Sequence, residues 1–436
     1  MLAAALAQEG PSQGTLAQGL VDSVGGDISS IYAHPNVDPT TIRTMGVLSI
    51  YHLLCDQQLF AWRTIGIAAR LVLEIGLHRR ESLLTGFPDA TDRDAATAVF
   101  WCVCVLDRQC GLENGLSFAL IDRDIDPGLP EPGPHLPYLQ SLAGYGRLCS
   151  KVWDAVPHFS SATTAPPSFN PTLDLSIPSV IASQLDQEIR AWLRASTSIA
   201  AANLHASETQ KSLLLLRGNH LLLLIHRQHV LSPLAVAANP DLAALAACTA
   251  RTTIQATLAL SGDGDGGNAR NQATCNTYLV SALGVLLLAV THAPGEFAEA
   301  CRDDFTAAVE LVRRSSEQSA AGRRLWKSVR GVVEAVKKLG LGPVPVPGRT
   351  GIDDDGGTRI DDSVQNPPLE VVQDWNVNFD SHNGAYSVPG RAPVGEDLLG
   401  LFDLFGGGGL QPTLVRGTED NPYGTGIGWE GHGSPR

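Results

Sequence analysis

The chain has 436 residues, 44% of them hydrophobic, which suits one large domain with loose flanks or two domains. Its 31 Lys and Arg against 45 Asp and Glu leave a net charge of −14, so the chain as a whole repels a polyanion, which excludes a freestanding basic DNA binder. The Ala/Leu stretch after Met1 lacks the basic lead of a secretory signal. The longest apolar run, Tyr278 to Val290, is shorter than the roughly 18 residues of a membrane helix, so neither secretion nor a bilayer span is expected.

Residues 1–37 mix Gly, Ser, Gln and Ala without sustained periodicity and read as a flexible lead-in. Order begins at Asp38-Pro39, where the aspartate can accept from free helical N–H groups and the proline stands where its missing donor is harmless. That predicts a helix to about Leu54. A second helix starts at Asp56. From Leu59 its apolar residues cover most of the circumference, so it should be nearly enclosed, with Gly76 as a left-handed stop. A third runs from Arg93 to about Asn114, with Asp92 as cap and Gly115 as closure; its length overrides its β-branched content. Asp122 to Pro132 must then be an extended, non-helical crossing, because prolines forbid a ladder and restrict their predecessors.

Pro166 to Pro178 reads as a loop. Helical patterns resume from Ser179 through Trp192, then over Ser212 to Leu231, Pro240 to Ser261, Ala273 to Val290 and Phe297 to Leu339. The Leu213–Ile225 run is interrupted by Arg217 and His220, which places it against other helices. The expected architecture is therefore all-α: a multi-helix domain over 38–340, a disordered N-terminal lead-in, and a long disordered C-terminal tail. Residues 341–436 hold 19 of the 44 glycines, and 5 Arg against 14 Asp and Glu give a local charge of −9, which cannot bury enough apolar surface to fold alone.

Several literal motif matches fail on context. Gly262-Asp263-Gly264-Asp265-Gly266-Gly267 has the string of a phosphate cradle, but its aspartates repel phosphate and no strand precedes it. Asp122, Asp124 and Asp126 open like a calcium loop, yet Pro127 stands where the turn glycine belongs and Gly133 where the late Glu belongs. The eight cysteines are irregularly spaced and lack paired C-x-x-C half-sites, so they read as reduced core fillers. His220, His226 and His229 have no carboxylate in their own segment to support a zinc site. Residues 301–340 carry 9 Lys and Arg against 5 acids, which reads as a solvated helix face ahead of a nuclear-import element. No nucleophile, base and orienting group converge, so no catalytic, cofactor-binding or metal-ligating residues are assigned.

Three segments in order carry a resemblance. They are Phe60-Ala61-Trp62-x-x-x-Gly66-x-Ala68 with Glu74-Ile75-Gly76-Leu77-His78-Arg79; Val99-Phe100-Trp101-x-x-x-x-Leu106-Asp107-Arg108; and Gly115-x-x-Phe118-Ala119-Leu120-x-Asp122-x-Asp124-Ile125-Asp126-x-x-Leu129-Pro130. Together they resemble the middle homology region of fungal zinc-cluster transcription factors, densely over 41–132 and loosely to about 340. The resemblance implies an all-helical regulatory domain, a nuclear location, and control of transcription by RNA polymerase II. The family's six-cysteine zinc cluster has no counterpart in these residues. Zinc is therefore expected only in that DNA-reading module, and DNA only through it or through a partner. The family's Gly-Arg-Pro appears here as Gly115-Leu116-Ser117, and its arginines before Phe-Trp as Ala96, Thr97 and Ala98.

Asp107 and Arg108 end an otherwise apolar helix and must be paired if buried. The expected network joins Asp107 to His78 or Arg79, and Arg108 to the Asp122–Asp126 crossing. In the tail, residues 396–405 alternate acids with large apolar side chains. Asp397, Leu398, Leu399, Leu401, Phe402, Leu404 and Phe405 form a candidate activation segment that folds into a coactivator groove. The partners expected are a coactivator or a full-length transcription factor, no membrane, and a small-molecule effector in an effector-gated reading. The alternatives are an all-helical Mg²⁺- and diphosphate-dependent enzyme, or an effector-binding helical module.

Overall fold

The computed structural model describes residues 18–23, 37–55, 57–156, 177–202, 208–261 and 272–318, with 322, 323, 325–327, 329 and 330. Among these there are helices and turns and no strand. The 341–436 tail, including Asp397 to Phe405, lies outside the described residues, as does Asp56. Within the expected lead-in, 18–23 is helical, and the Tyr51 hydroxyl donates to Gln18 Oε1 at 3.2 Å.

Helix α1 (Pro39–Leu54) starts as its sequence dictates: the Asp38 carboxylate accepts from Thr40 N and Pro39 takes the first turn. α2 (Gln58–Glu74) buries Ala61, Ile65, Ala68, Ala69 and Val72, but Phe60 is 49% exposed, so the helix is packed on one side and not enclosed. The apolar residues around its circumference divide between the core and solvent-facing contacts such as Phe60 stacking on His52. After Gly76 a short α3 (Arg80–Gly86) follows, which the periodicity did not show.

α4 (Ala90–Asn114) begins three residues before the expected start, because Asp89 and not Asp92 is the cap: its carboxylate accepts from Thr91 N and Asp92 N. Gly115, at φ +64°, closes it. The crossing that follows is not wholly extended, since Asp122–Asp124 make one 3-10 turn before the prolines take over. α5 (Pro137–Ala155) was not legible in the sequence. The remaining helices are α6 (Ser179–Ala202), α7 (Glu208–His226), α8 (Pro233–Ala238), α9 (Pro240–Leu260), α10 (Gln272–His292) and α11 (Pro294–Gln318). A 3-10 turn, Arg227–Val230, ends the stretch expected to run helical to Leu231. The expected continuation of α11 to Leu339 lies largely outside the described residues.

One core gathers α1, α2 and α4, a second α5, α6 and α7, and a third α9, α10 and α11. Against the sequence reading, α4 and the Cys275–His292 part of α10 are long and apolar enough to cross a bilayer. Nearly all of the first and most of the second is buried against other helices instead.

Gly76 sits at φ +74°, and a Cβ there would lie 2.6 Å from Ser82 Oγ. Gly76→Ala should therefore cost about 1–3 kcal/mol, read as a lower urea midpoint at unchanged m-value.

Candidate functional site

The three segments singled out in the sequence meet at one corner, where α4 ends and the chain doubles back. The Arg108 side chain is 1% exposed and that of Asp107 is fully buried. Arg108 Nη1 donates to Asp107 Oδ2 at 2.9 Å, Nη2 to Asp122 Oδ1 at 2.6 Å, and Nε to Ser150 Oγ of α5 at 2.7 Å. Ser150 Oγ in turn donates to Asp122 Oδ1 at 3.0 Å, and the guanidinium lies 4.7 Å over the Phe118 ring. Burial works against the Arg108 charge, but the carboxylates of Asp107 and Asp122 hold its pKa above the ordinary value.

Asp107 also accepts from the backbone N–H of Ala119 and Leu120, each at 3.0 Å to Oδ2. The sequence points Asp107 at His78 or Arg79, but neither is its partner. Arg79 is exposed and turns onto His78, its Nε donating to His78 Nε2 at 3.1 Å. Burial and the Arg79 charge hold His78 below its ordinary value, which fits a ring nitrogen that accepts. The segment after α2 meets the crossing through its backbone instead: Asp126 N donates to His78 O and Arg80 N to Asp126 Oδ2, both at 3.0 Å. Arg108 reaches the crossing as expected.

The other motif residues complete the corner. Trp62 Nε1 donates to Ser117 O at 3.1 Å, and Trp101 Nε1 to Pro130 O at 2.9 Å. Leu77 is buried, Gly66 O accepts from Arg70 Nη1 at 2.9 Å, and Asp124 makes an exposed pair with Arg123. The corner is tied through side-chain bonds to backbone and to other side chains. Among the described residues, no three His, Cys, Asp or Glu side chains are gathered as for a metal ion.

A second polar cluster was missed in the sequence. Arg217 of α7 is fully buried; its Nη2 donates to Gln109 Oε1 of α4 at 3.0 Å, and its Nη1 to the Tyr138 hydroxyl of α5 at 3.4 Å. The guanidinium lies 5.6 Å over Tyr145, and Tyr278 of α10 donates to Glu113 Oε1 at 3.3 Å. His220 packs 5.4 Å from the Tyr278 ring, and burial pushes its pKa down to about 4. The available signal was Arg217 and His220 interrupting the Leu213–Ile225 run; their partners come from three other helices and no local pattern announces them. His226, for which no nearby carboxylate was legible, pairs with Asp186 of α6 at 2.8 Å.

Asp107→Ala should cost about 3 kcal/mol or more in denaturant unfolding, because it removes one of the two carboxylates on a buried guanidinium and leaves the N–H groups of Ala119 and Leu120 without their acceptor. Asp122→Ala, whose side chain is 51% exposed, should cost less than half as much. Burial pushes the Glu113 carboxyl up to about 7 against an ordinary 4.5. The stability this proton contributes is full below pH 4.5 and lost as pH rises through 7. Unfolding at pH 5 and pH 8 should show the native chain losing stability relative to Glu113→Gln over that interval.

Residues 28–163 match the model of the fungal specific transcription factor domain, and that range contains the whole corner. Over 96 residues the chain is 32% identical to "Negative regulator of pleiotropic drug resistance STB5" of Candida glabrata. That alignment takes in 22% of this chain and 9% of the relative, so the chain spans a small part of that protein's length. No solved structure matches the chain significantly.

Proposed function

We propose that this chain is a regulator of RNA polymerase II transcription in a fungal nucleus. The helical unit over 38–340 serves as its regulatory domain, and residues 396–405 serve as an acidic activation segment. The observation that carries the reading is that the matched domain, residues 28–163, coincides with the corner built on Asp107 and Arg108. Two features support a non-enzymatic role. The buried charges of the corner are consumed by backbone and side-chain partners, and the convergent polar groups are structural ties. The partner class is a coactivator or a full-length transcription factor. DNA is reached through such a partner or through a zinc-cluster module outside these residues, and zinc belongs with that module.

In the activation segment, acids give solubility and encounter rate, while Leu398, Leu399, Leu401, Phe402, Leu404 and Phe405 provide the apolar contacts of a helix laid in a groove. The test fuses residues 341–436 to an unrelated DNA-binding domain in a yeast reporter strain. Reporter output several-fold above the DNA-binding domain alone is expected. It should fall to background when Leu401, Phe402, Leu404 and Phe405 are replaced by Ala. Silence of the native fusion, confirmed to be expressed, would defeat the assignment of this segment.

A further inference from the structure

Outside the corner and the Arg217 cluster, two nucleophilic side chains on neighbouring helices have no structural use as a pair. Cys248 of α9 is exposed, and Cys301 of α11 is buried. The direction of the helices brings them together. His292, at the end of α10, bonds through Nδ1 to Val230 O at 2.7 Å, just ahead of α8 and α9. α10 therefore returns the chain to the start of α9, and α11 leaves from there after the single residue Ala293, parallel to α9.

The register is fixed by an ion pair. Arg251 Nε donates to Asp304 Oδ2 at 2.5 Å, and Gln255 Nε2 to Asp304 Oδ1 at 3.0 Å. Counting from Pro240 and Pro294, Arg251 is the twelfth residue of its helix and Asp304 the eleventh of its own. Each cysteine lies three residues earlier, close to one helical turn, on the same side. The two sulfurs are near enough for each to act electrostatically on Arg251, and for Cys248 to act on Cys301. The buried small residues Ala247 and Ala250 on α9, with Ala308 on α11, allow the helix axes a close approach.

We propose that Cys248 and Cys301 form an oxidation-sensitive dithiol that peroxide converts into a disulfide between α9 and α11. The exposed Cys248 thiolate attacks one oxygen of hydrogen peroxide; the S–O bond forms, the O–O bond breaks, and hydroxide leaves, giving a sulfenic acid. Cys301 then attacks that sulfur as its thiolate; the S–S bond forms, the S–O bond breaks, and the departing hydroxide is protonated to water. The net change is two thiols and one peroxide to one disulfide and two waters. Burial pushes the Cys301 thiol up to about 11 while Arg251 pulls it down, which suits the resolving role and leaves the first encounter to Cys248. The cross-link would fasten α11, most of which lies in the basic stretch ahead of the acidic tail, to the helix beside it.

The full chain, purified reduced, is treated with one equivalent of hydrogen peroxide, alkylated, digested without reductant and read by mass spectrometry. The expected product is a Cys248–Cys301 linked peptide pair two hydrogens lighter than its parts. It should be absent from Cys248→Ser, a substitution at an exposed position that leaves the core intact. In Cys301→Ala, Cys248 should stop at a sulfenic acid trapped by dimedone. Sulfinic acid at Cys248 with Cys301 still alkylatable, or Cys248 linked to a second copy, would overturn the proposal.

Discussion

A guanidinium with 1% of its side chain exposed must be neutralised inside the fold, and Arg108 sets the terms for everything around it. Its rigid fork points three ways at once, to Asp107 on its own helix, Asp122 in the crossing and Ser150 on α5, so the positions of all three are fixed together. Asp107 still has acceptor capacity after that bond and spends it on the N–H groups of Ala119 and Leu120. That capacity forces the chain to double back after Gly115. Proceeding along the loop, backbone or carboxylate anchors occur at Ser117, Ala119, Leu120, Asp122, Asp126 and Pro130. A proline-rich segment with no ladder of its own is thereby anchored along its length.

The same constraint recurs at Arg217, and one helix serves both sites. α5 gives Ser150 to Arg108, and Tyr138 and Tyr145 to Arg217, while Arg147 lies 4.6 Å over the Trp101 ring. Each buried guanidinium is hydrogen-bonded through its nitrogens and lies over an aromatic ring, which lowers the cost of removing it from water. Because both cations lean on α5, a shift of that helix to suit one disturbs the other.

What the sequence revealed was the local chemistry. Asp38-Pro39, Gly76 and Gly115 announce helix ends because caps and left-handed stops act within a few residues, and Arg108 could be matched to the aspartate-rich crossing because a buried cation needs an anion. Side chains alone could not reveal that Asp107 would choose backbone N–H groups over His78 or Arg79. That choice depends on how sharply the chain turns after Gly115. α5 stayed hidden because Gly144 and Gly146 weaken its helical signal; a Cβ at Gly144 would come within 3.0 Å of Trp192, so close packing demands what local propensity disfavours. The Arg217 cluster was illegible for the same reason at longer range, since Gln109 and Tyr278 lie more than fifty residues from it along the chain.

The distribution of thiols separates the molecule into an inert part and a responsive one. Burial pushes Cys104 up to about 11, and Cys149 and Cys275 to about 12, and raises Cys102 and Cys110 further, so these thiols hold their protons at any physiological pH. Cys104 and Cys149 also lie within reach of the Arg108 charge. A reactive thiolate there would compete with Asp107 and Asp122 for the guanidinium on which the corner depends. Sealing them protects that pairing from oxidants. Cys248 is under no such demand, because its neighbour Arg251 already has Asp304, and a change of redox state at this position leaves every charge of the corner where it was. An oxidative signal is in this way directed to the α9–α11 side of the domain and kept away from the ion network that holds the fold.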